Sequence, residues 1–181
     1  RRLVREWFPN ARIVADRFHV IRLVNQHFSE LCKAIDEKQL AHGRGGMMRL
    51  LLTRRDRLTD SQKERLRTYF ADRPDIESLY EFLHDTADLL RVRAQSIDSC
   101  RKYVAELLDK IEQLRKTSFA PLRTLGKTLH NWREEVARMF RFTRNNGITE
   151  GFHRKMKLIQ RRAYGFRNFE NYRLRVRVLC C

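Results

Sequence analysis

No apolar run in these 181 residues approaches the ~20 needed to cross a bilayer, so a membrane-spanning role is set aside. The opening Arg1-Arg2-Leu3-Val4-Arg5 has neither the apolar core nor the small-residue cleavage site of a secretory signal. Cysteine is scarce: Cys32, Cys100, Cys180 and Cys181 show no zinc-ligand spacing, which points to free thiols in a reducing compartment. Repeats, low-complexity tracts and Pro/Ser linkers are absent. Glycine is scarce too, and its lone cluster, Gly43-Arg44-Gly45-Gly46, is where the long helical pattern after Asp16 should end. The first residue is not Met, and Leu3, Val4, Trp7 and Phe8 form an amphipathic helical pattern ended by Pro9. A piece of a longer protein is expected.

What is rarest near the C-terminus is negative charge. The whole chain has 39 Lys and Arg against 22 Asp and Glu, a net +17. Between Arg141 and Arg177 eleven cations face only Glu150 and Glu170, a net +9 in about a fifth of the length. Concentrated positive charge suits a phosphate backbone, whose condensed counterions are released on neutralisation. A membrane-surface helix would gather its aromatics on one clean apolar face. Here Phe152, Tyr164, Phe166, Phe169 and Tyr172 interleave with the cations, which favours nucleic acid.

The pattern along the chain is mainly helical. Arg12-Ile13-Val14-Ala15 is the one convincing short strand, closed by Asp16. Phe18, Ile21, Val24, Phe28, Leu31 and Ile35 recur every three or four residues as an amphipathic stripe. Met47 to Leu52 fits strand or helix equally. Ser61 with Glu64 suggests a capping box after Thr59-Asp60, and Pro74 suits a first helical turn. Tyr103, Leu107, Leu108, Ile111 and Leu114 mark a further helix. Pro121 opens another through Leu122, Leu125, Leu129, Trp132, Val136 and Phe140, with Trp132 expected in the core. Asn145-Asn146-Gly147 is a turn before a helix carrying Glu150. That helix breaks at Ala163 to Arg167, and Asn168 caps a last one.

Two acids stand out by position. Asp16 follows the strand, and the carboxyl ends of strands are where α/β folds place their chemistry. Glu150 opens a helix dense with cations, and Lys157 lies two turns on along the same face. Two oxygen ligands from separate elements suit a divalent cation. Each also has a plain structural reading: Asp16 as the cap of the next helix, Glu150 as a first-turn acid complementing the dipole. His19 is expected as a packed histidine on the buried side of its helix, with metal ligation the minor reading. Tyr164 and Phe166, among Arg161, Arg162 and Arg167, divide evenly between packing and stacking on unpaired bases. Many of the charges from Arg54 to Arg73 read as an ordinary solvated helix face.

Asn10-Ala11-Arg12-Ile13-Val14-Ala15-Asp16-Arg17-Phe18-His19-Val20-Ile21 resembles the second-aspartate block of DDE transposases of the ISL-three insertion-sequence family. Asn146-Gly147-Ile148-Thr149-Glu150-Gly151, with Lys155, Lys157 and Arg161-Arg162-Ala163-Tyr164-Gly165-Phe166-Arg167-Asn168-Phe169, is similar to its glutamate block and tail. Leu50-Leu51-Leu52 before Arg54-Arg55, and Trp132-Arg133-Glu134-Glu135, fit the region between, so the resemblance covers essentially the whole chain. It implies a mainly α chain: a helical insertion plus the C-terminal remnant of an RNase H-like α/β catalytic core. Residues 1–42 would belong to that core, 43–143 to the insertion, and 144–181 to the glutamate-bearing helix and basic C-terminal helices. By the same resemblance Asp16 and Glu150 are catalytic and metal-binding, with Mg²⁺ or Mn²⁺ as cofactor. Lys155, Lys157, Arg161, Arg162, Tyr164 and Arg167 are DNA-binding, and Lys157 matches a basic residue that contacts the DNA end. Partners implied are DNA, as transposon ends and target, and further copies in a homo-oligomer, in a prokaryotic cytoplasm beside the nucleoid. His153 stands where Asn is usual. The first catalytic aspartate, expected upstream, has no candidate, so this piece is expected to be inactive alone.

Two other classes of reading stay open from the residues themselves. One is a non-catalytic helical nucleic-acid-binding module in which Asp16 and Glu150 are caps. The other is a helical oligomerisation piece whose charge serves solubility.

Overall fold

The computed structural model describes residues 2–40, 46–94, 96–142 and 147–180. They are mainly α, and no strand occurs among them. The chain divides into two compact units, 1–143 and 144–181, each described by itself.

The first unit is a helical assembly. It comprises α1 (Arg2–Trp7), α2 (Arg17–Ile35), α3 (Glu37–Leu40), α4 (Met47–Leu52), a 3₁₀ turn at Arg55–Arg57, α5 (Asp60–Ala71), α6 (Pro74–Arg91), α7 (Ile97–Lys116), α8 (Ala120–Asn131) and α9 (Arg133–Arg141). Local chemistry sets most of the helix starts. Asp16 caps α2, Ser96 caps α7, and Pro74 opens α6, where its missing N–H is no loss. The capping box of α5 pairs Thr59 with Gln62, two residues before the Ser61–Glu64 pair expected, because Thr59 is the residue that holds extended φ/ψ. Met47 to Leu52, ambiguous by pattern, is helical and buries Met47, Met48, Leu50 and Leu51.

Packing centres on α2, which lies against α6 and α8, while α7 packs most extensively on α8. Val24 and Phe28 of α2, Leu83 of α6, Leu114 of α7 and Leu125 of α8 surround a void of about 10 Å³, hardly one water in size. Close packing has one stringent point. A Cβ at Gly126 of α8 would sit 2.7 Å from the Arg115 backbone N and 2.8 Å from the Leu114 carbonyl carbon, so only glycine permits this approach to α7.

Several expectations fail here, each for a physical reason. Residues 11–16 form neither helix nor strand, since a strand needs a ladder partner and here the Ala15 N–H and the Ile13 carbonyl bond to α9 instead. Phe18 is 65% exposed rather than in the α2 stripe, because Val20, Val24, Phe28, Leu31 and Cys32 form the buried face. The helix opened by Pro121 is two helices. Its break falls at Trp132 (φ −108°, ψ 12°), whose N–H turns back to the Thr128 and Leu129 carbonyls. That break carries Trp132 out of the core, to 42% exposure, while Val136, Met139 and Phe140 stay buried. Many of the charges from Arg54 to Arg73 do form a solvated face, with Arg57, Lys63, Glu64, Arg65 and Arg67 all exposed, but two arginines of the stretch pair outside it. Arg55 pairs with Glu81 and Asp85, and Arg73 with Asp36.

The second unit pairs α10 (Gly147–Arg162) with α11 (Phe169–Cys180). Asn168 accepts the Glu170 N–H at 2.8 Å, so the expected cap is present. Glu150 lies in the first turn of α10; its side chain, and the Asn145-Asn146 part of the expected turn, fall outside the described residues, as does the glycine cluster at 43–45. Among the described residues no helix is long and apolar enough to cross a membrane.

Candidate nucleic-acid and metal site

Asp16 is held by its neighbours on both sides. Its own Oδ1 accepts the His19 backbone N–H at 3.2 Å, closing the first turn of α2, and lies 3.1 Å from His19 Nδ1. Burial alone would push this carboxyl up. The hydrogen bonds from the His19 ring and backbone outweigh it, so Asp16 sits below its usual range and is ionised at neutral pH. An ionised carboxylate only accepts, hence His19 Nδ1 carries the proton and its Nε2 is left toward solvent. His19 is therefore not the buried core histidine expected; its side chain is 64% exposed. Both contacts to His19 fall on Oδ1, and the Phe18 backbone N–H also favours the ionised carboxylate.

The segment bearing Asp16 is strapped to α9 at three points and to Phe142, just past its end, at a fourth. Arg12 lies over the Phe142 ring at 5.7 Å, and Arg138 Nη1 donates to the Ile13 carbonyl at 3.2 Å. Ala15 N–H donates to the Glu135 carbonyl at 2.9 Å, and Arg17 Nη2 to the Met139 carbonyl at 2.9 Å. Arg17 also reaches the end of α6, through Nε to the Leu90 carbonyl (2.8 Å) and Nη2 to the Val92 carbonyl (3.0 Å). The last carbonyls of both helices thus receive a cation, which also suits their dipoles. Burial and nearby Arg93 lower the Arg17 pKa while Asp16 opposes them, yet a guanidinium stays charged. Sequence reading passed over Arg17. The only available signal was its place beside Asp16, since its three acceptors lie 73 to 122 positions away.

Asp16 and His19 stand on the wall of an open, largely apolar cleft of about 270 Å³ completed by Leu23, Thr128, Trp132 and Val136. Among the described residues no three His, Cys, Asp or Glu side chains gather to hold a metal. Asp16 fits one position of such a site, with an ionised carboxylate whose Oδ1 is engaged by His19.

The cationic candidates lie in the second unit. Lys155, Lys157, Arg161 and Arg162 of α10 and Arg167 of the following loop are all exposed, and none pairs with an acid among the described residues. Lys157 and Arg161 share a face by their spacing of four. The two loop aromatics part company. Phe166 packs on Tyr172 with ring centroids 5.2 Å apart, beneath Arg175, whereas Tyr164 is fully exposed.

The profile of the ISL-three DDE family, described as transposase, matches residues 1–176. This chain belongs to that transposase family. A curated relative, the transposase for insertion sequence element IS1001 of Bordetella parapertussis, is 27% identical over 175 residues. The alignment takes in 93% of this chain and 42% of that protein, so the chain spans less than half the length of its relative. No solved structure matches.

Proposed function

We propose that this chain supplies two acids, Asp16 and Glu150, to a metal-dependent centre that cuts and joins DNA strands during transposition. Membership of the transposase family supports the reading, and one observation of the site carries it: an ionised carboxylate, fixed from both sides onto α9, on the wall of an open cleft. Residues 1–42 are assigned to an RNase H-like core, 43–143 to a helical insertion and 144–181 to the glutamate helix and basic tail. The last boundary falls where the chain divides into its two units.

In this reading Asp16 and Glu150 hold Mg²⁺ or Mn²⁺, which, when bound, activates the attacking oxygen and stabilises the leaving one. The chain's own work is positional. His19 engages Oδ1 of Asp16, while Arg17 and Arg138 keep the segment on α9. Lys155, Lys157, Arg161, Arg162 and Arg167 neutralise phosphates of the transposon end or target, with Tyr164 among them, and self-association brings two ends together. The protein then works beside the nucleoid.

The test uses the full-length transposase carrying Asp16→Asn or Glu150→Gln. Each keeps shape and removes charge, so strand cleavage should vanish while DNA-end binding stays within about twofold. An enzyme that still cleaves with Glu150→Gln removes that residue from the centre. The non-catalytic module has one observation in its favour, the N-cap geometry of Asp16. Asn caps a helix about as well as Asp, so an unaltered cleavage rate in Asp16→Asn would favour it.

A further inference from the structure

The loop joining α10 to α11 contains backbone that its sequence does not favour. α10 ends with Gly165 N–H donating to the Gln160 carbonyl (3.0 Å) and Tyr164 N–H to the Arg161 carbonyl (3.1 Å). This paired pattern is a Schellman ending, which places the residue just past the helix in the left-handed region, a position usually taken by glycine. Here that residue is Tyr164, at φ 52°, the one non-glycine with positive φ among the described residues; Gly165 follows at φ 97°. A side chain at positive φ meets its own backbone, a steric penalty glycine avoids.

The two hydrogen bonds that close the turn are backbone bonds, which glycine at this position would make equally well. Tyr164 is 100% exposed, so its ring contributes no burial, while Phe166, two residues on, packs against Tyr172. A strained backbone that presents a bare aromatic ring is more useful to a ligand than to the fold. The ring's surroundings indicate the ligand's chemistry. Arg161, Arg162 and Arg167 are exposed beside it in sequence and carry no ion pair to a described acid. A flat π surface bordered by free guanidinium groups matches one nucleotide: a base for the ring, flanking phosphates for the arginines. In an intact duplex both faces of a base are already stacked, so the ring requires a base that is unpaired.

We propose that Tyr164 is a stacking platform for an unpaired base in bound DNA, with the adjoining arginines on the neighbouring phosphates. The inference rests on the DNA-binding reading above and adds the form of DNA that the α10–α11 loop selects.

Fluorescence anisotropy with the 181-residue chain tests it, using two probes of equal length and sequence, one fully paired and one with a short unpaired stretch holding 2-aminopurine. The unpaired probe should bind more tightly and its 2-aminopurine emission should be quenched. Tyr164→Ala should weaken binding to that probe by about 5- to 150-fold, the range of one base–aromatic stack, and change the paired probe little. Tyr164→Trp should keep both the preference and the quenching. Tyr164→Gly separates ring from loop: glycine relieves the positive φ, so the melting temperature should hold or rise while the preference disappears. Tyr164→Gly binding the unpaired probe like the parent would overturn the proposal. Equal binding of both probes by the parent chain would overturn it too, yet leave the DNA reading standing. If neither probe binds in a salt-dependent way, the DNA reading itself fails.

Discussion

Arg17→Met removes a fork that ties three elements together, and its cost follows from the bonds it breaks. The guanidinium donates to the carbonyls of Leu90, Val92 and Met139 at 2.8 to 3.0 Å. A hydrogen bond to a charged group contributes ~1.5–3 kcal/mol, and Met preserves the packing of the stem while restoring none of the three. Since the group is half-buried, water can reach part of what is vacated, and roughly half the sum is the reasonable expectation, about 2–4 kcal/mol. That is a sizeable part of the ~5–15 kcal/mol that holds a domain folded, and corresponds to a melting temperature about 5–15 °C lower in a chain of this size. Thermal and urea unfolding followed by circular dichroism at 222 nm measures it. Arg17→Lys keeps the charge, but one ammonium does not span acceptors on two helices, so it should recover less than half of the loss. Hydrogen exchange gives a local readout. The Ala15 amide, bonded to the Glu135 carbonyl, should exchange faster in both variants as the Asp16 segment loosens from α9. A loss under about 1 kcal/mol, or complete recovery with Lys, would refute the clamp.

Gly126→Ala should be among the most damaging single-methyl changes. Its Cβ would meet backbone of α7 within 3 Å, and the forced separation should cost about 1–3 kcal/mol or more, seen as a lower urea midpoint at unchanged m-value. Acid should unfold the chain in two stages. Burial, only partly offset by the Leu51 carbonyl, lowers His84, with Arg55, Asp88 and Arg91 nearby; its contribution is intact above 6.5 and is lost as pH falls below it. Asp36 follows at lower pH. Burial raises it, but Tyr69, the Gln39 N–H and Arg73 prevail and lower it, so its contribution is intact above 3.8 and is lost as pH falls through the folded value. His84→Gln should flatten the first stage alone, and an unchanged stability slope just below pH 6.5 would contradict this. Replacing Lys157, Arg161 and Arg162 together with Ala should reduce the salt dependence of duplex binding by up to about three units of log–log slope, read by anisotropy across salt; an unchanged slope means other cations meet the phosphates.

Local signals were legible wherever a feature depends on residues close in sequence. The 3.6-residue periodicity marked α2, α6 and α7, Pro74 marked a helix start, and Asn168 a cap, because each rests on contacts within about one turn. The capping box moved by two residues because Thr, Ser, Gln and Glu offer equivalent chemistry at either register, and only the backbone of Thr59 selects one. Asp16 was legible as a candidate from its place and from the family pattern, and family membership itself was readable in the two end blocks.

Distance in sequence, or a backbone turn that no residue type dictates, decided the rest. Whether 12–15 makes a strand depends on what runs beside it, and beside it runs α9, more than a hundred positions on. Trp132 carries the spacing of a core residue, yet it stands at the break between α8 and α9 and comes partly into solvent. Tyr164 and Phe166 are alike in composition and neighbourhood. One is turned out by a left-handed backbone and the other packs on Tyr172. So the sequence by itself determined most of the helices, several of their caps, the positive charge and the family, all set by local propensity and composition. The tertiary structure alone decided which arginine grips the Asp16 segment, because its acceptors lie up to 122 positions along the chain, while the backbone turn after α10 decided which aromatic is bare, since a left-handed Tyr164 stands in solvent and Phe166 packs on Tyr172.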